Sequence, residues 1–60
     1  MKTTKFKLSF KTENAAFSDY GPEEIARILR RAADKIEGGI HNDFALMDAN
    51  GNKVGMTKFT

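Results

Sequence analysis

One segment limits the fold more than any other: a single amphipathic helix, bracketed by Gly21-Pro22-Glu23-Glu24 at its start and Gly38-Gly39 at its end. Proline suits the first helical position, two glutamates favour the positive end of the helix dipole, and a left-handed glycine is the common way to stop. Between these marks Ile25, Ile28, Leu29, Ala32 and Ile36 follow the i, i+3, i+4, i+7, i+11 spacing of one buried stripe. A lone stripe must be covered by something else in the chain. The remaining residues offer strands.

From Lys5 to Lys11 the chain alternates strictly, with Phe6, Leu8 and Phe10 on one face and Lys5, Lys7, Ser9 and Lys11 on the other, which predicts a half-buried strand. Its lysines read first as protection of a sheet edge, and second as a strip able to contact phosphates. Thr12 to Gly21 breaks both periodicities and predicts a loop, unusual in holding Phe17 and Tyr20. Either Phe17 folds over the core end while Tyr20 staples the helix start, or both belong to a recognition surface.

The last segment, Asp43 to Phe59, predicts a hairpin. A two-residue Asn50-Gly51 turn would set Phe44 opposite Thr57 and Leu46 opposite Gly55, splitting the apolar residues between faces. A type I turn from Asp48 to Gly51 with a bulge at Gly51 pairs Leu46 with Val54 and Phe44 with Met56, and is preferred for its coherent apolar face. In that register Met47 and Phe59, with Ala45 and Gly55 between them, face away from the helix. The expected fold is α+β, β-α-β-β, with the helix on a three-stranded antiparallel sheet ordered β1-β3-β2, because a central third strand makes both pairings antiparallel. The mixed order β1-β2-β3 is the alternative.

Sixty residues allow one domain, and a chain this short buries only about 60% of its unfolded surface. It has no cysteine and only His41 among histidines, so disulfides and a Cys/His zinc site are closed as stabilisers and self-association, as a homodimer, is the expected substitute. A net charge of +2 argues for no particular anionic partner, and no run has the length of a membrane span, so the expected location is the cytoplasm. No cofactor is expected. Asp48, Asn50 and Asn52 have the opening spacing of a calcium loop, but Lys53 and Phe59 stand where it needs glycine and a bidentate glutamate. Glu23 and Glu24 point about 100° apart on a helix and cannot share a proton site, and His41 has no nucleophile beside it. No enzyme is expected.

Two binding surfaces are left. Phe17, Tyr20, Ala45, Met47 and Phe59 form the candidate protein interface, for a second copy or a foreign target. Lys5, Lys7 and Lys11 with Arg27, Arg30 and Arg31 form the candidate nucleic-acid surface, although the helix cations are interleaved with acids that can pair with them, as Glu23 or Glu24 with Arg27 and Asp34 with Arg31. The runs Asn14-Ala15-Ala16-Phe17, Gly21-Pro22-Glu23-Glu24, Ala26-Arg27-Ile28-Leu29-Arg30 and Asp48-Ala49-Asn50-Gly51-Asn52-Lys53-Val54-Gly55 resemble a group of very small bacteriophage and prophage proteins, over about residues 5–55. The resemblance implies an accessory phage protein, similar in style to inhibitors of a host protein such as anti-CRISPR and other anti-defence proteins. It carries over no functional residue.

Overall fold

The computed structural model describes residues 2–60. Three strands, β1 (Phe6–Phe10), β2 (Ala45–Met47) and β3 (Lys53–Phe59), form one antiparallel sheet in the order β1-β3-β2. The helix α1 (Gly21–Glu37) packs on one face of it, and Ala15–Phe17 makes a single 3-10 turn ahead of the helix. The α+β architecture and strand order are those expected from the sequence. The molecule is elongated, 38 × 17 × 17 Å.

The expected punctuation operates. Pro22 lies in the first helical turn with Glu23 and Glu24, and the chain leaves the helix through Gly38 into Gly39, whose φ of 110° is costly for any residue with a Cβ. The hairpin turn is also as expected: the Gly51 N–H donates to the Asp48 carbonyl and the Asp48 N–H to the Asn52 carbonyl, with Gly51 at φ 83°. This is a type I turn closed by a glycine bulge.

Beyond the turn the register departs from expectation. Met47 pairs with Lys53, but Leu46 then pairs with Gly55 and Ala45 with Met56, leaving Val54 as an extra residue on β3. The preferred pairs, Leu46 with Val54 and Phe44 with Met56, are therefore not formed. The Thr57 N–H donates to the Phe44 carbonyl instead, which is the pairing attached above to the shorter turn. A second bulge, at Val54, reconciles the two.

Because side chains alternate every residue, one inserted residue reverses the faces of everything after it. Val54 is buried toward the helix; past it Thr57, only 1% exposed, takes the inner face, while Met56 and Lys58 turn outward. Phe59 also falls on the helix side, its ring edge-on to Phe6 at 4.9 Å, so its placement beside Met47 is corrected. Gly55 sits where a Cβ would lie 2.0 Å from the Ser9 carbonyl oxygen and 2.6 Å from the Phe10 Cα. Only glycine lets β3 approach β1 this closely.

The core is small: Phe17, Ile28, Ala32, Leu46 and Val54, with Leu8, Phe10, Ala16, Ile25 and Phe44 packed around it. Phe17 closes one end by stacking on Phe10, at 6.2 Å between ring centres. The buried helix stripe is Glu24, Ile28 and Ala32. Leu29, expected inside, is 45% exposed: the helix meets the sheet at β2 along its Glu24, Ile28 and Ala32 line, which leaves Leu29 on the flank.

Candidate functional site

The helix is tied to the hairpin turn by a set of polar bonds. Glu24, 6% exposed, accepts two bonds from Arg27, Nε at 2.6 Å and Nη2 at 3.1 Å, and one from the Ala49 N–H at 2.7 Å. Arg27 Nη2 also donates to the Met47 carbonyl at 3.1 Å. Asp48 is buried beside them: one carboxylate oxygen accepts from the Asn50 and Asn52 N–H groups, the other from the side-chain amides of Asn14 and Asn52. Buried charge is tolerated when it is paired and its lone pairs are filled, and both carboxylates meet that condition.

The electrostatics follow from these contacts. The Arg27 guanidinium, aided by the Ala49 N–H, holds the Glu24 carboxyl below its ordinary value against the opposing effect of burial. The Asn52 N–H and Asn14 amide do the same for Asp48. Glu24 in turn raises the Arg27 pKa. Neither carboxyl is poised to trade a proton near neutrality, and every acceptor is engaged in joining helix, hairpin and the 12–20 loop. This cluster is scaffold.

The open face of the sheet has the opposite character. Lys7 and Ser9 of β1, Lys53, Met56 and Lys58 of β3, and Ala45 and Met47 of β2 point away from the helix, as register and alternation require. Lys5, joined to Thr60 by hydrogen bonds in both directions, and Lys11, bonded to the Val54 carbonyl, continue the β1 alternation at either end. Met56, flanked by Ser9 and Ala45, forms the middle with Met47. Lys5, Lys7 and Lys58 lie toward one end, Lys11 and Lys53 toward the other. Met47 and Met56 are 43% and 39% exposed. Asp43 lies at the rim, where its carboxylate accepts from the Phe59 N–H at 2.8 Å.

The residues singled out in the sequence thus separate. Ala45 and Met47 are on the open face with Lys5, Lys7 and Lys11; Phe59 is on the other face; Phe17 is buried over the core end and not offered to a partner; Tyr20, the expected staple of the helix start, stands at that start but is 70% exposed. Arg27, Arg30 and Arg31 belong to the helix layer, so the lysines and arginines do not make one surface. Arg27 pairs with Glu24, as expected of a surface pair, but the glutamate is buried. No Arg31–Asp34 salt bridge forms among the described residues.

Sequence reasoning missed Met56, Lys53 and Lys58. Lys58 carried the signal, since the preferred register would have pointed it at the helix. No family model matches the chain, and neither the curated proteins nor the solved structures searched contain a match.

Proposed function

We propose that this is a non-enzymatic binding protein that docks the open face of its sheet on an acidic surface of a partner protein. The observation that carries the reading is the make-up of that face: Lys5, Lys7, Lys11, Lys53 and Lys58 around exposed Met47 and Met56, with the Asp43 carboxylate at its rim occupied by backbone. An apolar centre inside a charged rim is how protein interfaces are arranged, and methionine adapts its shape to what it meets. Lysines at the periphery steer an acidic partner into encounter. A binding role also agrees with the use of Glu24 and Asp48 as internal braces.

The same face speaks against pairing two copies through it, because their lysine sets would be brought together. A foreign partner fits better. The resemblance to small phage proteins makes a host protein the natural candidate, with modulation or inhibition by occupancy as the mode of action. For nucleic acid the face offers cations but no aromatic on which a base could stack.

The test is retention of partners from a nuclease-treated bacterial extract by the immobilised protein, compared with Lys7→Glu/Lys58→Glu and Met56→Asp variants. A defined protein held by the wild type and lost from both variants is the expected outcome. Retention that disappears with nuclease treatment, or that survives both sets of substitutions, overturns the proposal.

A further inference from the structure

The sheet has a second exposed feature, on the other side of β2 from the methionines. As an edge strand, β2 pairs with β3 on one side only. Phe44 exchanges bonds with Thr57, and the Asp48 N–H bonds to the Asn52 carbonyl, so the even-numbered residues address β3. By antiparallel alternation, Ala45 and Met47 then aim their N–H and C=O groups outward. Of these, among the described residues, the Met47 carbonyl has a partner in Arg27, and it keeps a second lone pair.

This free edge borders a groove of about 290 Å³ between β2 and α1, with Ile28, Ala32, Phe44 and Leu46 among its lining. Its helix wall carries Arg27, Arg31 and Lys35. Arg27 is held by Glu24, but Arg31 and Lys35 have no carboxylate partner among the described residues, and Lys35 Nζ rests 4.9 Å from the Phe44 ring centre. Asp48, the groove's one acid, has its oxygens filled by its own turn and Asn14.

The spacing of this wall is informative. Residues four apart on a helix rise by about 6 Å, and alternate residues on a strand by about 6.7 Å. A chain added along β2 would therefore bring every second side chain to successive cations at 27, 31 and 35.

We infer that the groove between α1 and β2 accepts an extended acidic peptide segment of a partner protein, added to the sheet as a fourth strand with acidic residues at alternate positions facing Arg31 and Lys35. Backbone bonds from Ala45 and Met47 give affinity, and the cation row gives selectivity, as in other strand-addition sites. The groove uses the outward backbone groups of Ala45 and Met47 with Arg31 and Lys35 of the helix, whereas the lysine face uses the Met47 and Met56 side chains with lysines of β1 and β3, so either inference can fail without the other.

The experiment follows backbone amide shifts of the isotope-labelled protein during titration with a capped heptapeptide alternating Glu and Thr. It is repeated with a peptide of the same composition whose glutamates are contiguous, and with the Arg31→Glu variant, an exposed site outside the core. The expected result is shifts at the Ala45 and Met47 amides, slowed exchange of the Ala45 amide, and affinity about tenfold weaker for both the contiguous peptide and the variant. Shifts confined to Lys7, Met56 and Lys58, equal affinity for the two peptides, no response at Ala45 and Met47, or displacement of the peptide by a single-stranded oligonucleotide would each overturn it.

Discussion

The hairpin-turn end and the open sheet face use the same kinds of residue to opposite ends. At the turn, Glu24, Arg27, Asp48 and Asn14 are brought together from three segments and every charged oxygen has a donor. On the open face, lysines from β1 and β3 stand in solvent around two methionines, with neither charge nor apolar surface matched from within the chain. The difference teaches how to separate scaffold from site when both are polar. A satisfied cluster fixes the fold, and an unmatched surface is where a partner has work left to do.

The largest test of this division is Gly55→Ala. The added Cβ would run into backbone atoms of Ser9 and Phe10, and a strand cannot yield as a flexible side chain would, so a loss of about 3 kcal/mol or more is expected in urea unfolding. A tolerated alanine would mean that β3 does not approach β1 this closely at Gly55. Next comes Asp48→Ala, which strips acceptors from the Asn50 and Asn52 N–H groups and from Asn14 while removing a charge from the buried cluster. It should lower the thermal midpoint clearly, by less than Gly55→Ala.

Acidification should sharpen the same contrast. The folded pKa values of Glu24 and Asp48 lie below their ordinary 4.5 and 3.8, so the folded state binds these protons less readily than the unfolded chain. Their stabilisation is complete above the ordinary values and is lost as pH falls through the lowered folded ones. Unfolding followed by circular dichroism should show stability level near neutrality and declining from about pH 5 downward. Asp48→Ala should flatten part of that decline. The smallest effect belongs to the open face: Lys7→Glu with Lys58→Glu should change folding stability by no more than about 0.5 kcal/mol, while removing partner binding. A large loss of stability there would make the lysines scaffold after all.

Much of the scaffold was legible in the sequence for local reasons. The helix limits follow from Pro22 and the Gly38-Gly39 pair, the hairpin turn from Asp48 to Gly51, and the strand order from the preference for antiparallel pairing, each decided by a few neighbouring residues. The Val54 bulge was not legible that way. Two registers compete for the same turn, and the choice depends on how Gly55 meets a strand more than forty residues earlier in the chain. Lys58 marked the answer, since the preferred register would have pointed it at the helix. Burial of Glu24 was hidden for a similar reason: its Ala49 partner lies 25 residues away. Leu29 followed the helical period faithfully, yet the buried line of the helix runs through Glu24, Ile28 and Ala32 and leaves it half exposed.

The account rests on the reversal of faces after Val54, which alone places Met56 and Lys58 beside Met47. Nuclear Overhauser contacts across β2 and β3 test it directly. The account predicts cross-strand backbone contacts of Ala45 with Met56 and of Leu46 with Gly55, together with ring contacts between Phe6 and Phe59. Cross-strand backbone contacts of Phe44 with Met56, in place of those of Ala45 with Met56, would contradict it, returning Met56 and Lys58 to the helix side and dissolving the proposed binding face.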